Sequence, residues 1–167
     1  MGSFAYQSSR DEKGRLVVHD VPIFVECERG KLEFDKEWLT QAFSAAQVAE
    51  KENYHPPLHV RHHGGDSEGV RAAGFFRITK VGPIKFKGES RQAIYADLVL
   101  TDERVAGEVL DDKLLYRSVE IADFDNPGIT SLALLDHEAP FLELPLLTVN
   151  SPWNMESAVD LPEGLAC

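Results

Sequence analysis

The sequence predicts a mainly β domain with peripheral helices, of the α+β class. Three observations carry this. About seven or eight short apolar runs, bounded by Gly, Pro, Asn and Asp clusters, have the length and alternation of strands. Only two stretches, near residues 36–51 and 102–110, show helical character. The strands follow one another instead of alternating with helices, which favours an antiparallel barrel or sandwich over a parallel βαβ sheet.

In chain order, residues 1–13 are polar and read as frayed. Arg15 to Val18 and Val21 to Cys27 read as two strands broken near His19-Asp20, with Pro22 suited to an edge or a strand start. Glu28 to Lys31 is a turn, and Asp35 an N-cap. From Lys36 to Lys51, Leu39, Ala42, Phe43, Ala46 and Ala49 fall at helical spacing, with Trp38 flanking the stripe. Pro56-Pro57 ends that helix. Leu58 to His63 alternates, with Leu58, Val60 and His62 on one face and His59, Arg61 and His63 on the other. A polar glycine loop, 64–69, leads to a strand over Val70 to Val81 with Gly74 as its bulge.

Turns are expected at Gly82-Pro83 and at Lys87 to Ser90, followed by a strand over Ala93 to Leu100 and a short helix capped by Thr101. Leu114 to Ile121 is the stretch on which the chemistry turns. As a strand it places Tyr116, Ser118 and Glu120 on one face and Arg117, Val119 and Ile121 on the other. Asp125-Asn126-Pro127-Gly128 is a turn, and Ile129 to Leu135 is apolar enough to be buried on both faces. The chain then becomes irregular. Residues 1–150 form one domain, and 151–167 a tail.

Length and charge narrow the function. The 167 residues suit one domain with a real core. With 17 Lys+Arg against 28 Asp+Glu the formal net charge is −11, which repels nucleic-acid phosphates and anionic membranes. No apolar run approaches the roughly 20 residues of a membrane span. Met1 to Tyr6 lacks the charged and apolar regions of a secretory signal. Two cysteines, Cys27 and Cys167, predict a reducing compartment and no disulfide framework.

By residue type, Ser118 is either a nucleophile or an ordinary strand serine. As a nucleophile it needs a base, for which His62 and His63 are the candidates, and an orienting group, for which Glu120, Asp136 and His137 qualify. A second cluster, His55, His59, His62, His63 and Asp66, has ligand types suited to zinc but matches no zinc spacing. The reading therefore expects no metal and no cofactor. The aromatic residues Trp38, Phe43, Phe75, Phe76, Phe86 and Phe141 read as core.

The order of motifs adds a resemblance. Pro57-Leu58-His59-Val60-Arg61-His62-His63 is followed by Ala73-Gly74-Phe75-Phe76, Ile94-Tyr95-Ala96-Asp97-Leu98, Tyr116-Arg117-Ser118-Val119-Glu120-Ile121, Ile129 to Leu135 and Ala139-Pro140. Over roughly residues 57–142 this resembles the prohead (capsid maturation) proteases of tailed bacteriophages, which look related to herpesvirus assemblin. His62 and Ser118 lie 56 residues apart, a separation of the size that family shows. The resemblance implies a closed antiparallel β-barrel like the herpesvirus protease, ringed by helices. It implies a serine endopeptidase with Ser118 as nucleophile and His62 as base, His63 being the neighbouring alternative. The third member stays open among Glu120, Asp136 and His137, with strand parity favouring Glu120. Substrates would be scaffold and major capsid proteins and the chain itself, cleaved in the procapsid interior or host cytoplasm. A homo-oligomer such as a dimer is expected, and the 151–167 tail would begin a removed or truncated scaffold-like region. The alternatives are a non-catalytic capsid scaffold or assembly module, and a metal-dependent hydrolase using the His55–His63 cluster.

Overall fold

The computed structural model describes residues 5–61, 72–137, 140, 142 and 144–152. Among them are nine strands and two helices: β1 (Ser8–Arg10), β2 (Leu16–Val25), β3 (Cys27–Arg29), β4 (Leu32–Phe34), α1 (Lys36–Lys51), β5 (Pro57–Val60), β6 (Gly74–Phe86), β7 (Glu89–Leu100), α2 (Glu103–Leu110), β8 (Tyr116–Glu120) and β9 (Ser131–Leu135). Seven strands form one sheet in the order β1-β2-β7-β6-β5-β9-β8, and β3 and β4 form a separate hairpin.

This corrects the expected closed antiparallel barrel. The sheet is mixed, because β5 and β9 run parallel, with His59 opposite Ala133. It is also open, with β1 and β8 as its edges. Those edges are three and five residues long and do not pair with each other. The later segment 147–150 adds no strand beside them: it makes one bond to Leu115 and an isolated parallel bridge, Tyr6↔Val149, in which Asn150 N also donates to Tyr6 O (2.9 Å). Leu147 N donates to Leu115 O (2.8 Å), and Tyr6 N donates to Thr148 O (2.7 Å). A run of strands in sequence says nothing about such distant pairings, where the direction of β9 is decided.

The long strands come from local pattern. The β6–β7 hairpin turns at Lys87 (φ 51°) and Gly88 (φ 80°), the left-handed pair a two-residue hairpin requires. The expected turn at Gly82-Pro83 is absent, since both residues continue β6, paired with Ala93 and Gln92. Proline is tolerated there because, among the described residues, β5 pairs with β6 only at Pro57↔Phe75 and Leu58↔Gly74 and no other strand lies on that side of Pro83. The break expected at His19-Asp20 is a bulge in one strand: Asp20 has φ 53° and the register shifts between Val18 and Val21. The N-terminal residues expected to fray instead include β1 and the buried Tyr6. Gly74 is no bulge. Its hydrogen is needed because a Cβ there would sit 1.9 Å from Val99 O.

The helices close the core. Asp35 caps α1 by accepting from Trp38 N (2.9 Å), and Trp38, Leu39 and Ala42 are buried. Trp38 belongs to the core, packed with Phe24, Phe34 and Phe124 at ring separations of 4.9 to 6.4 Å. Asp102, one residue after the expected Thr101, caps α2 by accepting from Arg104 N and Val105 N. Among the described residues no helix is long and apolar enough to cross a membrane.

Candidate functional site

Strand β9 is buried along its whole length, as its apolar run predicts, and it carries β8 on one side and β5 on the other. Ser118 pairs with Ala133, and Ala133 pairs with His59. Residues in register share a face, so Ser118, Ala133 and His59 form one row across three strands. Neighbouring strands lie about 4.8 Å apart, so Ser118 and His59 are separated by roughly 10 Å at the backbone, with only a methyl side chain between them. His59 is buried. Sequence parity showed which residues of β5 share a face, but not which of those faces matches that of Ser118. His59 therefore stood only in the histidine cluster. Its other described member, His55, stacks on Phe75 (5.0 Å). His62, His63 and Asp66 lie outside the described residues.

The alternation expected along β8 holds. Arg117 is buried on the face opposite Ser118. Its guanidinium donates from Nε to Pro22 O (2.9 Å), from Nη1 to Pro145 O (2.7 Å) and from Nη2 to Tyr6 Oη (3.2 Å). Burial pushes its pKa down and that of the Tyr6 phenol up, each partly offset by the other's presence. With these bonds made, Arg117 is a structural tie. Ser118 Oγ has no side-chain hydrogen bond to a described residue.

The candidate orienting acids lie at opposite ends of β9. Glu120 pairs with Ser131 and accepts its hydroxyl (2.5 Å), two residues from Ser118 on the same face. Asp136 follows the other end. It accepts from Arg61 Nη2 (2.9 Å) and lies 2.8 Å from Nδ1 of the exposed His137. The Arg61 hydrogen bond, first among its causes, holds the Asp136 carboxyl below the usual carboxylate range. Arg61 N donates to Leu134 O, so the chain leaves β5 at the Asp136 end.

Ser118 lines a cavity of about 490 Å³. Its walls are β8 and the loop after it, β2, and the β3–β4 hairpin, with Leu142 and Leu144 closing one side. Aliphatic and aromatic side chains dominate it. A scan against protein-family models found no match, and neither did searches of the curated proteins and of the solved structures.

Proposed function

We propose that the chain is a serine endopeptidase of the capsid-maturation type, acting on scaffold and capsid proteins. The observation that carries the reading is the position of Ser118. It stands on an edge strand beside an apolar cavity of ligand size, with Glu120 on its own face and β9 joining its strand to the one that leads into His62 and His63.

In this reading Ser118 Oγ attacks the scissile carbonyl carbon while His62 takes its proton. The tetrahedral intermediate collapses, the C–N bond breaks, and His62 returns the proton to the leaving amine. Water then attacks the acyl ester, loses a proton to His62, and releases the acid and Ser118. Glu120 orients the imidazole, with Asp136 as the alternative.

The test is cleavage of a scaffold protein together with labelling by a fluorophosphonate probe. Ser118→Ala is expected to remove both, lowering the rate at least roughly 10³-fold while leaving unfolding unchanged. His62→Ala is expected to match it, with His63→Ala milder. Full cleavage by Ser118→Ala rejects the reading, and the absence of both cleavage and labelling in the unsubstituted chain favours a non-catalytic assembly module.

A further inference from the structure

We infer that the outer edge of β8 binds its peptide as one further extended strand, with a large apolar side chain of that peptide in the cavity beside Ser118. The inference names the substrate class of the proposed protease. It rests on that reading for the chemistry, though not for the binding.

The backbone supplies the first argument. Leu115 O accepts from Leu147 N, so it faces away from β9, whereas Glu120 O accepts from Thr130 N on the β9 side. Along a strand the polar groups of alternate residues point to opposite edges. Arg117 and Val119, the two neighbours of Ser118, therefore present their N–H and C=O groups outward. No described residue beyond the strand pairs with these groups. An edge of this kind is a template for an added strand, and one laid here runs past Ser118.

The cavity supplies the second. It adjoins the same strand, lined by Arg117, Ser118 and Val119 themselves. Phe24, Leu32, Phe34, Ile121, Phe124 and Leu144 give it an apolar wall, and its volume of about 490 Å³ falls within the range of ligand clefts. Among the described residues no carboxylate lines it, so none of them offers a basic side chain a counter-charge there. Of its two arginines, Arg117 is bonded to Pro22, Pro145 and Tyr6, and Arg29 is exposed. A large apolar side chain in an extended peptide satisfies both the edge and the cavity.

Methyl NMR of the full chain tests this with acetylated, amidated peptides of sequence Ser-Ala-Xaa-Ala-Ser, where Xaa is Phe, Leu, Ala or Asp. The Phe and Leu peptides are expected to shift the Val119, Ile121 and Leu32 methyls saturably, with Kd at least about tenfold below that of the Ala peptide. Ala122→Trp fills the cavity from an exposed position, and Leu32→Glu puts a charge at a second exposed one. Each is expected to erase the preference, and N-methylation of the peptide backbone to weaken every peptide. Equal Kd values for Phe and Ala, shifts confined to other methyls, or a preference surviving both variants overturns the inference. Failure of the proteolytic reading looks different: Ser118 does not label with fluorophosphonate while the Phe preference persists.

Discussion

The two halves of the seven-stranded sheet are built on different principles. Strands β2, β7 and β6 have 10, 12 and 13 residues, and a two-residue turn joins the last two. Strands β5, β9 and β8 have 4, 5 and 5 residues. They are gathered from distant parts of the chain, and one of their pairings is parallel. As paired strands the halves meet narrowly, through two residue pairs between β5 and β6, with the Arg117 guanidinium reaching Pro22 of β2, while their inner faces share one apolar core. The long half is a frame: the β6–β7 hairpin is paired locally, and β2 is joined to β7 by a long antiparallel register running from Leu16↔Leu100 to Val25↔Ala93. The short half carries Ser118, Glu120 and His59 and depends on the frame for its alignment. Sites are often placed on less self-sufficient elements held by a rigid scaffold.

The strongest way to break this comparison is at the seam. Gly74 pairs with Leu100 of the frame and Leu58 of the short half, and any Cβ there meets Val99 O at 1.9 Å. A backbone oxygen cannot rotate aside as a side chain would, so β6 must move off β7. Gly74→Ala is expected to cost roughly 3 kcal/mol, at the upper end of overpacking effects. Urea unfolding measures it, and a loss below about 1 kcal/mol means that the seam is softer than its geometry.

The same division explains what was legible in the sequence. Helix α1 could be read from its apolar spacing and Asp35, the β6–β7 turn from Lys87-Gly88, and the burial of β9 from an unbroken apolar run, because each is decided within a few residues. The open mixed sheet could not be read, because the parallel β5–β9 pairing joins residues more than 70 positions apart. Gly82-Pro83 misled for a related reason. It has turn chemistry, but the missing neighbour that lets it continue a strand is a tertiary fact. For the site, alternation along β8 correctly separated Ser118 from Arg117. It gave no register between β8 and β5, so the row joining Ser118 to His59 was invisible.

A smaller effect sharpens the role of Arg117 as the tie between halves. Tyr6→Phe removes the acceptor of its Nη2 bond and is expected to cost about 1 kcal/mol near neutral pH. The pH dependence has a definite sign. Burial raises the Tyr6 pKa above 10.0 in the folded protein. Below pH 10 the phenol is neutral folded and unfolded. Above it the unfolded chain loses its proton first, so stability falls until the folded pKa is passed. Phenylalanine has no such proton, so the gap between wild type and variant is expected to narrow between about pH 8 and about pH 10.5. Tyr95, also raised by burial, leaves part of the alkaline loss in both proteins. A constant gap across that range means that Tyr6 titrates alike folded and unfolded.

The smallest expected effect lies at the far end of β9 and bears on which acid serves Ser118. Arg61 holds the Asp136 carboxyl below its ordinary value of 3.8. A depressed carboxylate stabilises the fold above the unfolded pKa, and that contribution is lost as pH falls through the folded pKa. The pair is exposed, so Arg61→Ala is expected to leave unfolding at neutral pH unchanged within error. NMR titration of Asp136 is expected to show its pKa returning toward 3.8. If Glu120 orients the base, the acidic limb of the kcat/KM profile stays where it was in this variant, because Glu120 sits at the opposite end of β9 beside Ser131. If that limb moves together with the Asp136 titration, Asp136 takes the orienting role and Glu120 reverts to a partner for Ser131.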